Sequence, residues 1–306
     1  MSISKPNIPE DLAVKILNEH VKKEIEAFEQ ITGGENTQVF LFQSGGKKYV
    51  LKISNKKQSF LKDSFAYKHF SSNQIKIPET LVIGSSANGD KIHYTISEQC
   101  SGKTVSKLDK DVRKGLSPIL MKSLDSIHEQ RIDFSKGFGN WDSTGKGDSR
   151  TWRGYLLRSV RRFRFHGVFK LNRKDILESE IIKVILKNYF PLIKYCPETR
   201  QLIHGDFSHN NVLTDGNVIT GVIDWGNSKY GDFLYDVAKL SFWNKGIDYE
   251  TEFYDYYTKS KKDIKNYHER ILCYKLHIAL NALAFFSESK QLGKYNHTKE
   301  RALRIV

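Results

Sequence analysis

Alternating apolar and polar positions characterise the first hundred residues of the chain. Residues 25–54 show this period-two pattern in three segments, and Gly45-Gly46 between the second and third is typical of a tight hairpin turn. The other elements predicted here are strands within residues 77–84 and 91–99 and helices over residues 9–22 and 58–72. Together they predict an α+β unit built on an antiparallel sheet.

The spacing of apolar residues becomes mainly helical from Leu116 onward. The predicted helices cover residues 112–130, 149–166, 175–195, 232–243 and 266–288. Cys100-Ser101-Gly102 marks the change in composition, so a hinge is predicted there. The expected domains are a small sheet-rich lobe over residues 1–99 and a large, mainly helical lobe over residues 100–306.

The composition supports a folded protein with a sizeable core, because 39% of the 306 residues are hydrophobic. The N-terminal residues lack the continuous apolar stretch of a signal peptide. The most apolar late segment, residues 271–286, is shorter than the roughly 20 residues that a membrane span requires. The three cysteines form no CxxC pair, so neither a zinc site nor a disulfide framework is expected. A cytoplasmic location is therefore predicted.

Polar side chains cluster around two predicted short strands near residue 210. His204-Gly205-Asp206 precedes the first strand, Asn211 follows five residues after Asp206, and Asp224 ends the second strand. Carboxylate and amide oxygens are ligands that Mg²⁺ accepts beside water and phosphate. We therefore predict that Asn211 and Asp224 hold Mg²⁺ and that Asp206 orients a reacting hydroxyl group. Phosphoryl transfer uses this division of roles.

Other polar residues in these regions have simpler interpretations. Asp and Asn are common in hairpin turns, and residues 215–217 are predicted to be such a turn. His204 is expected to bind backbone groups near the loop, whereas His209 is expected to be exposed and without a role. Lys52 shares a strand face with Val50, so it is either an edge lysine with its head in water or one that holds phosphate in a cleft.

The chain resembles the aminoglycoside phosphotransferase family, whose members are related to protein kinases. The resemblance is carried by His204-Gly205-Asp206 with Asn211, by Val222-Ile223-Asp224-Trp225, and by residues 231–238, which contain the GDxxxD pattern of the family. Further segments resemble the hygromycin B phosphotransferase subfamily: Lys62-Asp63, Gly137-Phe138-Gly139, Thr151-Trp152-Arg153 and Cys196-Pro197-Glu198. The resemblance extends over nearly the whole chain and implies a bilobal protein-kinase-like fold.

The resemblance also implies how ATP would be bound. Lys52 would hold the phosphates, with Asp63 as its partner where the family usually has Glu. Because Asp is one methylene shorter, either the helix lies closer or the ion pair is looser. The other implied ATP contacts are backbone groups of Gly33, Gly34, Asn36 and Thr37 over the phosphates, and of Ser97, Gln99 and their neighbours at adenine.

The expected function is ATP- and Mg²⁺-dependent phosphorylation of an aminoglycoside hydroxyl group, which would confer antibiotic resistance. The net charge of +14 argues against a cationic substrate, but residues 204–243 contain five Asp and only two Lys. Asp232 and Trp243 are the candidate substrate contacts, and each could instead be a solvated or core residue. The expected partner is a small molecule, without membrane association, and the protein is expected to be a monomer.

Two alternative functions remain open. The same fold could phosphorylate another hydroxylated metabolite or antibiotic, because a fold does not fix its substrate. Residues 150–174, with nine Arg or Lys and no acid, could instead bind nucleic acid. The simpler interpretation of this run is a packed helix with a solvated basic face. Its predicted buried residues are Trp152, Tyr155, Leu156, Val160 and Phe163, opposite Arg158, Arg161 and Arg162.

Overall fold

The structure is a computed structural model that describes residues 7–31, 33–34, 37–86, 92–161, 163, 176–244, 246–260 and 264–306. The α-helices within these ranges are α1 Glu10–His20, α2 Lys57–Phe70, α3 Lys110–Gly115, α4 Ser117–His128, α5 Trp152–Ser159, α6 Ser179–Tyr189, α7 Leu234–Trp243, α8 Tyr249–Lys259, α9 Tyr267–Glu288 and α10 Leu292–Leu303. The strands are β1 Ile25–Ile31, β2 Thr37–Ser44, β3 Lys47–Ser54, β4 Thr80–Ser85, β5 His93–Glu98, β6 Lys103–Thr104, β7 Phe138–Trp141, β8 Gly147–Ser149, β9 Gln201–Ile203, β10 Val212–Thr214, β11 Ile219–Val222 and β12 Lys229–Gly231.

The N-terminal part of the chain forms the predicted antiparallel sheet. Its five strands lie in the order β1-β2-β3-β5-β4, and the period-two pattern places Phe40, Leu51 and Ile96 in the core on one face. In the register of β3, Lys52 lies between Val39 of β2 and Thr95 of β5. The strand therefore carries Lys52 in the middle of the sheet and not at its edge.

The chain leaves this sheet at Glu98 and enters a second, three-stranded sheet through β6, which pairs with β10. Gly102 lies at this passage with φ +88°, and a Cβ there would collide with the carbonyl group of Thr214. Only glycine fits both the backbone conformation and the space. The passage coincides with residues 100–102, where the hinge was predicted; the division into two lobes itself stays a prediction.

In the remaining part of the chain, helix α9 packs against α6, α7 and α10. Leu276, Leu280 and Leu283 of α9 are fully buried, which confirms that the apolar segment 271–286 is a core helix. Within the described ranges, no helix is both long and apolar enough to cross a membrane. The sheet and the helical region together confirm the predicted α+β fold class.

Two of the observed helices are shorter than the apolar pattern predicts. The helix predicted over 112–130 is divided into α3 and α4, because Pro118 lies in the first turn of α4 and supplies no N–H group to a longer helix. Around Pro191 the helix predicted over 175–195 becomes a 3-10 helix, Phe190–Tyr195. The pattern did not reveal helices α8 and α10 or the hairpin of β7 and β8.

Helix α5 is the described part of the basic run. Thr151 caps its start by accepting a hydrogen bond from the Gly154 N–H group at 3.0 Å. All five residues of the predicted buried face are buried, and Arg158 and Arg161 are exposed, as expected for a packed helix. Arg162 and residues 164–175 lie outside the described residues, so the purpose of the run as a whole stays open.

Asp232 lies at the N-terminal end of α7 and joins this helix to α9. Its side chain is completely buried, and Arg270 binds both carboxylate oxygens, through Nη2 at 2.6 Å and Nε at 2.8 Å. The Tyr274 hydroxyl group also donates to this carboxylate. The prediction that Asp232 contacts the substrate is therefore wrong, because its oxygens are occupied inside the core.

Replacing Arg270 by Met should destabilise the protein by about 3–5 kcal/mol, because the Asp232 carboxylate would remain buried without its cation. Urea unfolding monitored by tryptophan fluorescence measures this change. Arg131→Met is the matched control, since Arg131 and its partner Asp133 are 91% and 78% exposed and such pairs contribute little. Equal losses of stability in the two variants would contradict the structural role of the buried pair.

Candidate active site

A buried carboxylate holds the loop that follows β9. Asp236 of α7 accepts hydrogen bonds from the backbone N–H groups of His204, at 2.8 Å, and Gly205, at 2.7 Å. The His128 ring nitrogen Nε2 lies 3.1 Å from the same carboxylate. Burial opposes ionisation, but the hydrogen bond and charge of His128 outweigh it and keep the pKa of Asp236 below its usual value. The second Asp of the GDxxxD pattern thus fixes the backbone immediately before Asp206.

His204 and Gly205 complete this loop. The His204 ring donates from Nε2 to the Ile223 carbonyl group at 3.1 Å and accepts at Nδ1 from the Asp206 N–H group at 3.3 Å. Burial lowers the pKa of His204, so the neutral form is favoured. Gly205 has φ +77°, and a Cβ there would collide with the carbonyl group of Asn227. The structure confirms that His204 binds backbone groups near the loop.

His209 is buried, and the prediction that it is exposed is wrong. Its Nε2 lies 2.6 Å from the Tyr249 hydroxyl group, and burial lowers the pKa of His209 to about 4. Tyr249 begins helix α8, which the sequence pattern did not reveal, so the partner of His209 was not visible either.

The Asp206 carboxylate is half-buried, and its two oxygens have different environments. Oδ1 lies 3.1 Å from Nζ of Lys239. Among the described residues, the contact of Oδ2 is a long one, 3.4 Å, with the side-chain amide nitrogen of Asn227. Oδ2 is therefore the oxygen better able to accept a hydrogen bond from another group.

Sequence reasoning missed Lys239, although helical periodicity could have found it. Residues three and four apart share a helix face, so Asp236, Lys239 and Trp243 project from α7 on the side of the loop that carries Asp206. Trp243 is half-buried, and Nζ of Lys239 lies 5.7 Å from its ring centroid. Trp243 thus lies about one helical turn from Lys239, whose ammonium group contacts Asp206. The contact of Trp243 with the substrate stays a prediction.

Asn211 and Asp224 lie close together where β10 begins and β11 ends. The Asn211 carbonyl group accepts from the Ile223 N–H group at 2.9 Å, which places Asn211 beside the residue before Asp224. The side-chain amide nitrogen of Asn211 donates to the backbone carbonyl group of Asp206 at 2.9 Å. The side-chain oxygen of Asn211 therefore faces the opposite way and remains an acceptor. Asp224 adopts a left-handed conformation, φ 67° and ψ 64°, which is rare outside glycine and typical of functional sites.

The charge around Asp224 suits a cation. Burial and the nearby carboxylates of Asp63 and Asp206 raise the pKa of Asp224 to about 6, against the opposing effect of Lys52. Among the described residues, no group of three or more His, Cys, Asp or Glu side chains is arranged to hold a metal ion. The oxygens of Asn211 and Asp224 fit an ion such as Mg²⁺, which usually takes one or two protein ligands and fills its other positions with water and phosphate.

Lys52 and Asp63 form the predicted pair between strand β3 and helix α2. Nζ of Lys52 lies 3.8 Å from Oδ2 of Asp63, and both side chains are about one-fifth exposed. Burial alone would lower the pKa of Lys52, but Asp63 and Asp224 outweigh it and raise the pKa. The other oxygen of Asp63 accepts from the Trp225 N–H group at 2.7 Å. The ion pair between Asp63 and Lys52 is therefore loose, because the Asp63 carboxylate also binds the segment after Asp224.

The other predicted ATP-binding residues that the structure describes lie along the same sheet or next to its strands. Gly33 and Gly34 precede β2, whose first residue Thr37 pairs with Ser54 of β3, and Asn36 lies outside the described residues. Ser97 is buried within β5. The Gln99 N–H group donates to the Lys48 carbonyl group at 3.0 Å, so it is not available to adenine. The roles of these residues stay predictions.

Comparisons with known proteins converge on one family. The model of the phosphotransferase enzyme family matches residues 27–270. Hygromycin-B 4-O-kinase of Escherichia coli is 30% identical over 254 residues, which are 83% of this chain and 73% of that protein. Two solved structures of aminoglycoside phosphotransferase APH(4)-Ia superpose on nearly the whole chain. The structure of the enzyme itself is 27% identical, has a TM-score of 0.85, and matches over 97% of this chain and 98% of that chain. The structure of a thermostable mutant with AMP-PNP and hygromycin B is 28% identical, has a TM-score of 0.81, and matches over 95% of this chain and 96% of that chain.

Metal binding should weaken as the pH falls through about 6, because a proton then competes with the cation for Asp224. Mn²⁺ accepts the same oxygen ligands as Mg²⁺. Because the pKa of Asp224 is about 6, the affinity of the protein for Mn²⁺ should drop roughly fourfold between pH 7.5 and pH 5.5. Electron paramagnetic resonance of free Mn²⁺ measures the affinity without nucleotide.

Asp224→Asn should lose most of the binding, and Asp215→Asn in the exposed turn should retain the fourfold pH effect. An affinity for Mn²⁺ that is unaffected by Asp224→Asn would place the metal elsewhere.

Proposed function

The chain belongs to the phosphotransferase enzyme family, and from this premise we propose that it transfers the γ-phosphoryl group of ATP, with Mg²⁺, to a hydroxyl group of an aminoglycoside of the hygromycin B type. The acceptor class is supported by the relative named as a hygromycin-B 4-O-kinase and by the similar structure that contains AMP-PNP and hygromycin B. One observation carries the reaction type: Asp206, Asn211 and Asp224 lie at adjacent loop ends, within electrostatic range of Lys52.

The nucleotide lies between the sheet and the catalytic loop. Lys52 binds its phosphates, and Asp63 keeps the ammonium group charged and oriented. The oxygens of Asn211 and Asp224 would hold Mg²⁺, which supplies positive charge next to the transferred phosphoryl group. Catalysis then depends mainly on the placement of the two reacting oxygens, since phosphoryl transfer needs little covalent chemistry from the protein.

Asp206 orients the acceptor hydroxyl group. Lys239 occupies Oδ1, so the hydroxyl group donates its hydrogen bond to Oδ2. The bond between the hydroxyl oxygen and the γ-phosphorus forms while the bond from this phosphorus to the bridging oxygen of ADP breaks. The hydroxyl proton passes to Oδ2 of Asp206, and ADP leaves with the bridging oxygen.

The acceptor binds on the side of α7. Trp243 offers an apolar wall for a sugar ring, because it is half-buried and lies on the helix face that carries Lys239.

The biological role follows from the acceptor. Phosphorylation of the antibiotic in the cytoplasm would protect the cell, which makes the protein a resistance enzyme.

The acceptor is tested by product mass. The protein is incubated with ATP, Mg²⁺ and hygromycin B, and the antibiotic should gain one phosphoryl group. A parallel measurement of ADP release covers other aminoglycosides and uncharged hydroxylated compounds. Faster ADP release with an uncharged acceptor than with any aminoglycoside would refute the acceptor class while retaining the reaction type.

Asp206→Asn should lower kcat by roughly 10²–10⁴-fold, because the amide cannot accept the hydroxyl proton. The affinity for ADP, measured by isothermal titration calorimetry, should be unchanged, since Asp206 does not bind the nucleotide. Asp215→Asn in the exposed turn is the control and should retain full activity. A kcat for Asp206→Asn within about tenfold of the wild-type value would show that Asp206 does not take the proton.

A further inference from the structure

Helix α2 carries a buried lysine next to Asp63. The Lys62 side chain crosses to the segment after Asp224, where Nζ donates to the carbonyl groups of Gly226, at 2.9 Å, and Ser228, at 2.7 Å. The residue is 3% exposed, and its Nζ also lies 4.6 Å from the ring centroid of Trp141. All these contacts suit a charged ammonium group that is removed from water.

A second buried lysine binds the carbonyl group between those two. Lys229 of β12 is 4% exposed, and its Nζ donates to the Asn227 carbonyl group at 2.7 Å. The three successive carbonyl groups of residues 226–228 are therefore bound by two ammonium groups. Lys62 reaches them from helix α2 beside the five-stranded sheet, and Lys229 reaches them from the helical part of the chain.

The segment needs such support because its own backbone leaves carbonyl groups unpaired. Asp224 is in the left-handed conformation, and the single 3-10 turn Trp225–Asn227 is closed by one backbone bond, from the Ser228 N–H group to the Trp225 carbonyl group at 2.9 Å. This bond leaves out the carbonyl groups of residues 226–228. Burial is costly for a lysine, and it lowers the pKa of Lys62 to about 7 and that of Lys229 to about 8. An apolar side chain would fill the same space at lower cost, so filling space does not explain the ammonium groups.

We propose that Lys62 is a positioning residue that sets the orientation of Asp224, so that the geometry of the metal site depends on the location of helix α2. Asp63 contributes to the same function from the next position, since its carboxylate binds the Trp225 N–H group. Two consecutive side chains of α2 thus hold Trp225, Gly226 and Ser228 through the backbone. The proposal rests on the proposed function in one respect, the assignment of Asp224 as a metal ligand.

The same segment also reaches the catalytic carboxylate. The Asn227 side-chain amide lies 3.4 Å from Oδ2 of Asp206, the oxygen that receives the acceptor hydroxyl group. A displacement of α2 therefore changes the surroundings of Asp224 and Asp206 together. The metal and the acceptor are aligned only when α2 is in place against the segment.

Lys62→Met tests the proposal, because Met has nearly the same length and cannot donate to the two carbonyl groups. The affinity for Mn²⁺, measured by electron paramagnetic resonance without nucleotide or acceptor, should fall about 10–100-fold, as is usual when the partners of metal ligands are removed. Hydrogen exchange of the amides of residues 224–228, measured by mass spectrometry, should become faster. In the assay, kcat should fall with little change in the acceptor KM.

Three further variants separate positioning from stability. Lys57→Met, in the exposed first turn of the same helix, should behave as the wild type. Lys62→Arg should restore much of the Mn²⁺ affinity, because a guanidinium group can donate to both carbonyl groups. Lys62→Gln retains one donor group and replaces Lys62→Met if that variant does not fold. All measurements are made well below the thermal midpoint of each variant.

The two proposals fail in different ways. If the wild type forms no phosphorylated product with any acceptor while Lys62→Met still loses Mn²⁺ affinity, the proposed function is wrong and the positioning role stands. If the wild type phosphorylates its acceptor, but Lys62→Met is merely less stable and binds Mn²⁺ within about twofold of the wild type, Lys62 does not position the metal site.

Discussion

The bond between the Asp236 carboxylate and two successive backbone N–H groups is the constraint on which the rest of the site depends. It joins helix α7 to the loop that carries Asp206, and His128 of α4 fixes the same carboxylate from a third element. Because the group is buried and ionised, its acceptor capacity has to be filled by donors at fixed positions. The backbone is therefore held in place at the first two residues of the loop, and this fixes the position of Asp206, the third.

Local patterns in the sequence were sufficient to predict the five-stranded sheet and to group the residues of the candidate site. The strands around Lys52 have period-two alternation and a glycine turn, and both are signals contained in the segment itself. Asp206, Asn211 and Asp224 could be grouped because a short hairpin brings their loop ends together. The helix boundaries were less accurate, since Pro118 and Pro191 interrupt apolar patterns that continue past them.

The contacts that the sequence did not predict join distant residues. Lys62 binds carbonyl groups more than 160 positions away, and Asp232 is neutralised by Arg270, 38 positions later in the chain. No periodicity distinguishes a buried lysine that bonds backbone from one that lies in solvent. Lys239 could be predicted in part. Its spacing from Asp236 on a helix indicates which face it lies on, but not that it pairs with Asp206.

The steric contact at Gly102 has a mechanical consequence for the enzyme. The residue lies against the carbonyl group of Thr214, which ends the strand that begins one residue after Asn211. A displacement of the five-stranded sheet about this point would press directly on the hairpin of β10 and β11, whose ends carry Asn211 and Asp224. A bulkier residue at position 102 would therefore displace the ends of this hairpin, and with them the proposed metal site.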